Sequence, residues 1–342
     1  MENHFDAAAP LCRQPAPLAG PTGQAGWGER AMSGPRFAAE LLLIALAGAG
    51  FCLTSFCMVK VVLQTRQGLS SPLRCLVGVM LTSCIVWALK TDLNLAADPG
   101  LFPATGRVGL GGFLFGLAAY ANGGCFIGSM NQLAQGQGGR IWTLGGWVLG
   151  YLLLAPLHGL MASPAAMGVG LVAGVLAAAL LTLEIQALRR ATPFTPNDAI
   201  PGLTGSRAWA LMLGMGVVMA LLIVSVLPWQ PSDLAKHLAE SLAGQDRRVA
   251  LVAGLSFPLG MLAINLWRRK FQAQAPRNRH VGWLGWGLVM VVGAELALGG
   301  NDSQLFRFIP MGSPHALLGV PAMAAGILVA DWISGLKPWA RA

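Results

Sequence analysis

The chain has 342 residues, of which 55% are hydrophobic and 11% charged, with a mean hydropathy of +0.60 and a formal net charge of +9. A soluble domain carries about 25% charged residues, and no soluble core hides this much apolar surface, so the protein is read as integral to a membrane. The basic excess gathers in loops and forms no basic patch on a soluble module, which argues against a nucleic-acid partner.

In chain order, residues 1–36 are rich in Pro, Gly and Ala without a period and read as a disordered tail. They lack the apolar core of a signal peptide, and Met32, just before the first apolar run, is the expected natural start. Nine apolar segments follow, at about 37–59, 73–90, 109–125, 141–157, 165–187, 208–228, 248–267, 282–300 and 314–334. Their lengths suit helices crossing roughly 30 Å of hydrocarbon, and they lack the alternation of barrel strands. The expected architecture is therefore all-α, with a first half over 37–190, a cytoplasmic linker over 191–207, a second half over 208–336 and a tail over 337–342. The loop Arg268 to His280 carries five Lys or Arg, and the loops Lys60 to Arg74 and Arg189 to Arg207 carry three each. With nine crossings all three fall on one side, the cytoplasm, and the expected location is the bacterial inner membrane, multi-pass. The loop Gln230 to Arg248 puts three basic residues on the other side, offset by Asp233, Glu240 and Asp246.

Two of the segments share a layout. GLGGFLFGLAAYANGGC, ending at Cys125, aligns without a gap on LGWGLVMVVGAELALGG, ending at Gly300. Gly112 falls on Gly287, Gly124 on Gly299 and Cys125 on Gly300. An odd number of crossings separates the two, so the expectation is an inverted-topology repeat whose glycine-rich ends re-enter and meet at a transport site. Glycines there end a helix and let backbone approach a ligand closely, and unwound backbone at membrane depth needs protein or a cavity around it.

Cys125, after Asn122, Gly123 and Gly124, is the leading candidate; the alternative is an inert thiol in a surface loop. Cys52 and Cys57 are five apart, about 140° on one helix, and so do not face one pathway. Glu295 is a costly intramembrane charge and a functional suspect, or else a hydrogen-bonded structural acid. Asn301, Asp302 and Ser303 either bind substrate or cap a turn. Ser313 with Pro314 reads as a helix start and His315 as structural. The six cysteines (12, 52, 57, 75, 84 and 125) form no disulfide framework and no zinc spacing. No nucleotide loop or catalytic triad is present, so neither metal, cofactor nor enzymatic activity is expected.

Three stretches together carry a family likeness: GFCLTSFCMVKVV, GGFLFGLAAYANGGCFIG and GWGLVMVVGAELALGGNDSQLFRFIPMGSPHALL. They resemble the first-helix "FC" motif, the "GGC-x-x-G" segment and the second-half "GGCND…SPHAL" segment of the YeeE/YedE family of thiosulfate and sulfur-compound transporters. The resemblance covers most of 37–334. It implies an inverted-repeat helical fold with short re-entrant helices, and conduction of thiosulfate past cysteines that touch the anion through weak S–H hydrogen bonds. By match, Cys52 and Cys125 inherit that role. The chain departs from the pattern at Gly300, where the family has its second-half cysteine, and Glu295 places a carboxyl near a path for anions. The expected path residues are thus Cys125, Cys52, Gly123, Gly124, Gly299, Gly300, Asn301, Asp302, Ser303 and Glu295, and the expected partners are a small sulfur-containing anion and the lipid bilayer. Two other readings stay open: a membrane partner of a cytoplasmic sulfurtransferase or sulfur carrier, with Cys125 holding sulfur or sensing redox state, and a degenerate family member with a structural role.

Overall fold

The structure, a computed structural model, describes residues 34–54, 56–67, 71–92, 102–154, 206–223, 229–274 and 280–335. The expected tail before residue 34, the Met32 start, the 165–187 segment, the 191–207 linker and the 337–342 tail lie outside the described residues. Within them the protein is helical, and its one extended pairing is an isolated bridge between Gln137 and Gln274.

The helices are α1 (Pro35–Thr54), α2 (Met58–Arg66), α3 (Ser71–Asp92), α4 (Gly106–Asn122), α5 (Phe126–Ala134), α6 (Ile141–Leu154), α7 (Ser206–Ile223), α8 (Asp233–Leu242), α9 (Arg248–Trp267), α10 (His280–Leu296), α11 (Asn301–Ser303, continued by a π-turn over Gln304–Phe308) and α12 (Pro314–Gly335). Four helical runs are long and apolar enough to cross a membrane: Phe37–Arg66, Gly106–Ala134, Arg248–Trp267 and Pro314–Gly335. The pair His280–Leu296 and Asn301–Phe308, bent by 40°, makes a fifth if taken as one broken span. The nine expected segments are therefore matched only in part among the described residues. α3 and α7 fall at two of the others, but their apolar stretches, Leu76–Leu89 and Leu213–Leu222, are short for a crossing.

Large apolar side chains such as Leu110, Leu153, Leu259 and Leu317 are more than half exposed. In water so much outward apolar surface would be a liability; lipid tails remove that cost. Because lipid gives helices no hydrophobic reason to associate, close packing of small residues has to supply the contact. That is how this bundle is assembled. A Cβ on Gly116 would fall on the Met323 carbonyl of α12, and one on Gly326 on the Phe113 carbonyl of α4. α6 and α10 meet the same way through Gly146 and Gly287, and α4 and α10 through Gly111 and Gly293. α1 lies against α9 with Gly48 on Phe257 and Gly260 on Ala45. The α4–α10 contact forms the centre, flanked by α12 and α6, and this centre holds both glycine-rich ends.

Candidate functional site

α4 starts at Thr105, whose side chain accepts from the Val108 N–H at 3.4 Å. It stops at Asn122, where Gly123 takes φ 78° and so ends the helix in the left-handed region that glycine enters without strain. Gly123 N–H donates to Tyr120 O and Gly124 N–H to Ala119 O, both at 2.9 Å. Cys125 then sits at the N-cap of α5 with φ −71°, ψ −172°, and its carbonyl accepts from Ser129 at 2.8 Å.

The second glycine-rich end repeats this construction. Leu298 N–H donates to Glu295 O at 3.2 Å and Gly299 N–H to Ala294 O at 2.8 Å. Gly300 has φ −70°, ψ 179°, and its carbonyl accepts from Gln304 at 3.0 Å. Two residues take positive φ here, Gly299 at 143° and Leu298 at 61°, the latter a strained position for a non-glycine. Residue for residue, this matches the gap-free sequence alignment of Cys125 on Gly300.

A polar brace holds the first break. Asn122 Nδ2 donates to Gly124 O at 2.7 Å and to Ser129 Oγ at 2.9 Å, while its Oδ1 accepts from Thr143 at 2.9 Å. The buried Arg140 donates to the Asn122 carbonyl and lies over the Trp283 ring, 4.9 Å from its centroid. Its charge thus faces the carbonyl end of α4, where a cation is favoured.

The partner of Cys125 is the departure from expectation. α1 ends at Thr54, whose hydroxyl bonds back to Gly50 O at 2.8 Å, and the chain restarts as α2 only at Met58, with Cys57 extended at its N-cap. Cys57 Sγ lies 4.0 Å from Cys125 Sγ. Cys52, the residue expected in the path, stays inside α1 and turns its thiol to Asn265 on α9. The 140° separation expected for Cys52 and Cys57 assumed one unbroken helix, and the break before Met58 removes that assumption. Cys57 makes no side-chain cap bond, and the Val59 and Lys60 N–H groups are left directed toward its sulfur.

From the second half, Asn301 Nδ2 reaches Cys125 Sγ at 3.6 Å. Asp302 Oδ2 accepts from Ser232 N–H at 2.7 Å, and Ser303 bonds Gln230. All of these are buried, and Asn301 Oδ1 and Asp302 Oδ1 have no hydrogen-bond partner. The sequence marks Gln230 to Arg248 as a loop but not that Gln230 and Ser232 reach this site; their polar side chains between apolar runs are the signal that could have found it. Glu295 is half-buried near the end of α10, and Tyr151 lies in its field as well as in that of Asp302. His315 is buried, with Nδ1 2.7 Å from Ser313 Oγ and its ring edge-on to Phe102 and Phe308, a structural setting.

The wall around the thiols is aromatic: Phe126 packs on Trp147 at 4.8 Å and Phe56 on Phe306 at 5.6 Å. Among the described residues no three His, Cys, Asp or Glu side chains group to hold a metal. An apolar cleft of about 630 Å³ lies elsewhere, between α2, α3 and α12, lined by residues such as Val61, Leu76, Leu328 and Trp332; it lacks the chemistry of the thiol site. Two nine-residue helices, α2 and α5, therefore begin at facing thiols, and an amide from α11 joins them. Each element offers hydrogen-bond donors and partial positive charge to a small anion. No family model matches the chain, and no curated protein matches it.

Proposed function

We propose that the protein carries a small sulfur-containing anion, thiosulfate or a close relative, across the bacterial inner membrane, along a path that passes Cys125 and Cys57. The observation that carries this reading is the pairing of two buried or half-buried thiols, 4.0 Å apart, at the first turns of two helices. A site that binds for transit has to hold the anion and then release it. Thiol S–H and amide N–H groups are weak neutral donors, and helix N-termini add partial rather than full charge. Arg140, which would bind an anion more firmly, is turned to the Asn122 carbonyl. Such a donor set suits a polarisable sulfur anion better than phosphate.

The matched caps at Cys125 and Gly300 support an inverted repeat, with α4–α5 related to α10–α11 and α6 to α12. This is also the fold implied by the YeeE/YedE resemblance, and the two together support reading the chain as a transporter of that class. The test is growth of a bacterial strain that imports neither sulfate nor thiosulfate, with thiosulfate as sole sulfur source. Wild type should rescue growth and Cys125→Ala should not, at equal expression. Rescue by both would refute the thiol path. The same thiol proximity favours one second reading, a redox-sensing or sulfur-carrying membrane partner of a sulfurtransferase. That reading predicts a persulfide or a Cys57–Cys125 disulfide in protein isolated from cells, and no rescue.

A further inference from the structure

Asp302 is an acid in a place where a carboxylate is hard to keep charged. It is 1% exposed. Its Oδ2 accepts from the Ser232 N–H at 2.7 Å, the Ser232 hydroxyl and the Ser303 N–H also face the carboxyl, and its Oδ1 has no hydrogen-bond partner of normal geometry. A buried carboxylate is stable only when paired or fully hydrogen-bonded, and among the described residues no Lys, Arg or His is bonded to this one. The titratable groups that face it are acids: Asp233 from α8, Cys125 from the first break and Tyr151 from α6. Arg307, on its own helical run, lies over the Phe308 ring, and His315 is engaged with Ser313.

The free oxygen has a definite position. A Cβ built on Gly300 would stand 2.9 Å from Asp302 Oδ1, with the Phe115 ring and Ser232 Oγ each at 3.9 Å. Oδ1 therefore crowds the space that a side chain on residue 300 would enter, beside the backbone position that matches Cys125. The neighbouring Asn301 amide already touches the Cys125 thiol. An anion held at Cys125 would lie in the field of this carboxyl, which already acts on the Cys125 thiol, and the two negative charges would repel unless one is removed. Adding a proton removes it, and gives the site an O–H donor.

We infer that Asp302 is the proton-binding group of this path, taking up a proton from water as an anion arrives at Cys125 and releasing it on the far side, so that anion and proton cross together. This rests on the transport reading above. No bond other than the carboxyl O–H forms or breaks. By linkage the two sites are reciprocal: the anion favours the protonated acid, and the protonated acid favours the anion.

The experiment uses the full chain in lipid vesicles with labelled thiosulfate outside. Wild type should acidify the lumen in step with uptake, and uptake should fall as pH rises through the group's pKa, because the protonated fraction drops about tenfold per unit above it. Asp302→Asn, which keeps the oxygen facing Ser232, should take up thiosulfate without proton movement and without that pH dependence. Asp302→Glu, which keeps a titratable acid, should retain coupling. Proton movement that persists in Asp302→Asn, or wild-type uptake with none, overturns the inference. A second readout does not need transport: infrared difference spectra on adding thiosulfate should show a protonated-carboxyl C=O band that is absent in Asp302→Asn. If wild type takes up no thiosulfate, the transport reading fails, and the infrared band then decides Asp302 alone; its absence from wild type overturns the inference whatever the uptake.

Discussion

Gly128→Ala separates stability from function at the thiol pair. Gly128 lies in the first turn of α5, and a Cβ there would stand 3.2 Å from Cys57 Sγ and 3.9 Å from Cys57 Cβ. Comfortable contacts of this kind lie near 3.5–4.0 Å, so the sulfur has to retreat by about half an ångström. Alanine in place of glycine within a helix contributes roughly 0.5–1 kcal/mol. Overpacking costs about 1–3 kcal/mol when nothing yields, and less here, because Cys57 is only partly buried at a helix break. The two effects nearly offset, so thermal unfolding in detergent should shift by no more than about 1 kcal/mol in equivalent stability. The thiol pair should nonetheless separate from 4.0 Å toward roughly 4.5 Å by the same steric argument. Closure to a disulfide requires about 2.05 Å, so oxidative cross-linking of Cys57 to Cys125, read by peptide mass mapping, should slow by about threefold or more. An unchanged rate in a stably folded variant would show that Gly128 does not press on Cys57, and the site geometry would be wrong.

Three further outcomes follow from the packing and charge. Gly116→Ala drives a methyl onto the Met323 carbonyl between α4 and α12 and should cost about 1–3 kcal/mol, read as a lowered Tm. Arg140→Gln removes the charge-assisted bond to the Asn122 carbonyl and the Trp283 contact; it should cost about 2–3 kcal/mol, and Arg140→Lys should recover only part, because an ammonium lacks the planar fork. Outside the spanning helices, burial raises the Glu240 pKa, but the bond to His237 and the charges of Lys236, His237 and Arg247 outweigh it and hold the group below its ordinary value. A depressed folded pKa contributes stability that is present above the unfolded value and lost as pH falls through the folded one. Glu240→Gln should therefore be less stable than wild type at pH 6, and the difference should begin to shrink below about pH 4.3, the ordinary glutamate value, and be gone only once the pH is below the lower folded value.

The glycine-rich ends were legible because a helix stop leaves a mark that sequence retains. Asn122-Gly123-Gly124 and the aligned Leu298-Gly299 both form the same cap, and Cys125 and Gly300 share one backbone conformation. The break in the first apolar run was not legible. Residues 51–60 contain neither Gly nor Pro, so nothing local ends the helix, and the interruption that carries Cys57 to Cys125 comes from tertiary packing. Thr54 is the one hint, since its hydroxyl competes for backbone carbonyls. The motif match points to Cys52, and reading the run as one unbroken helix turns Cys57 away from the same face. The meeting of Ser232 with Asp302 lay beyond reach for another reason: it joins residues far apart in the chain, which no period or motif encodes.

The central claim is that an anion passes between Cys125 and Cys57. Its most direct test is uptake of labelled thiosulfate into vesicles containing wild type, Cys125→Ala, Cys57→Ala or Cys52→Ala. Each of the first two substitutions should lower uptake by about fivefold or more, the size of one or two lost hydrogen bonds, and Cys52→Ala by less than about twofold. Full uptake by Cys125→Ala, or a loss confined to Cys52→Ala, would contradict it.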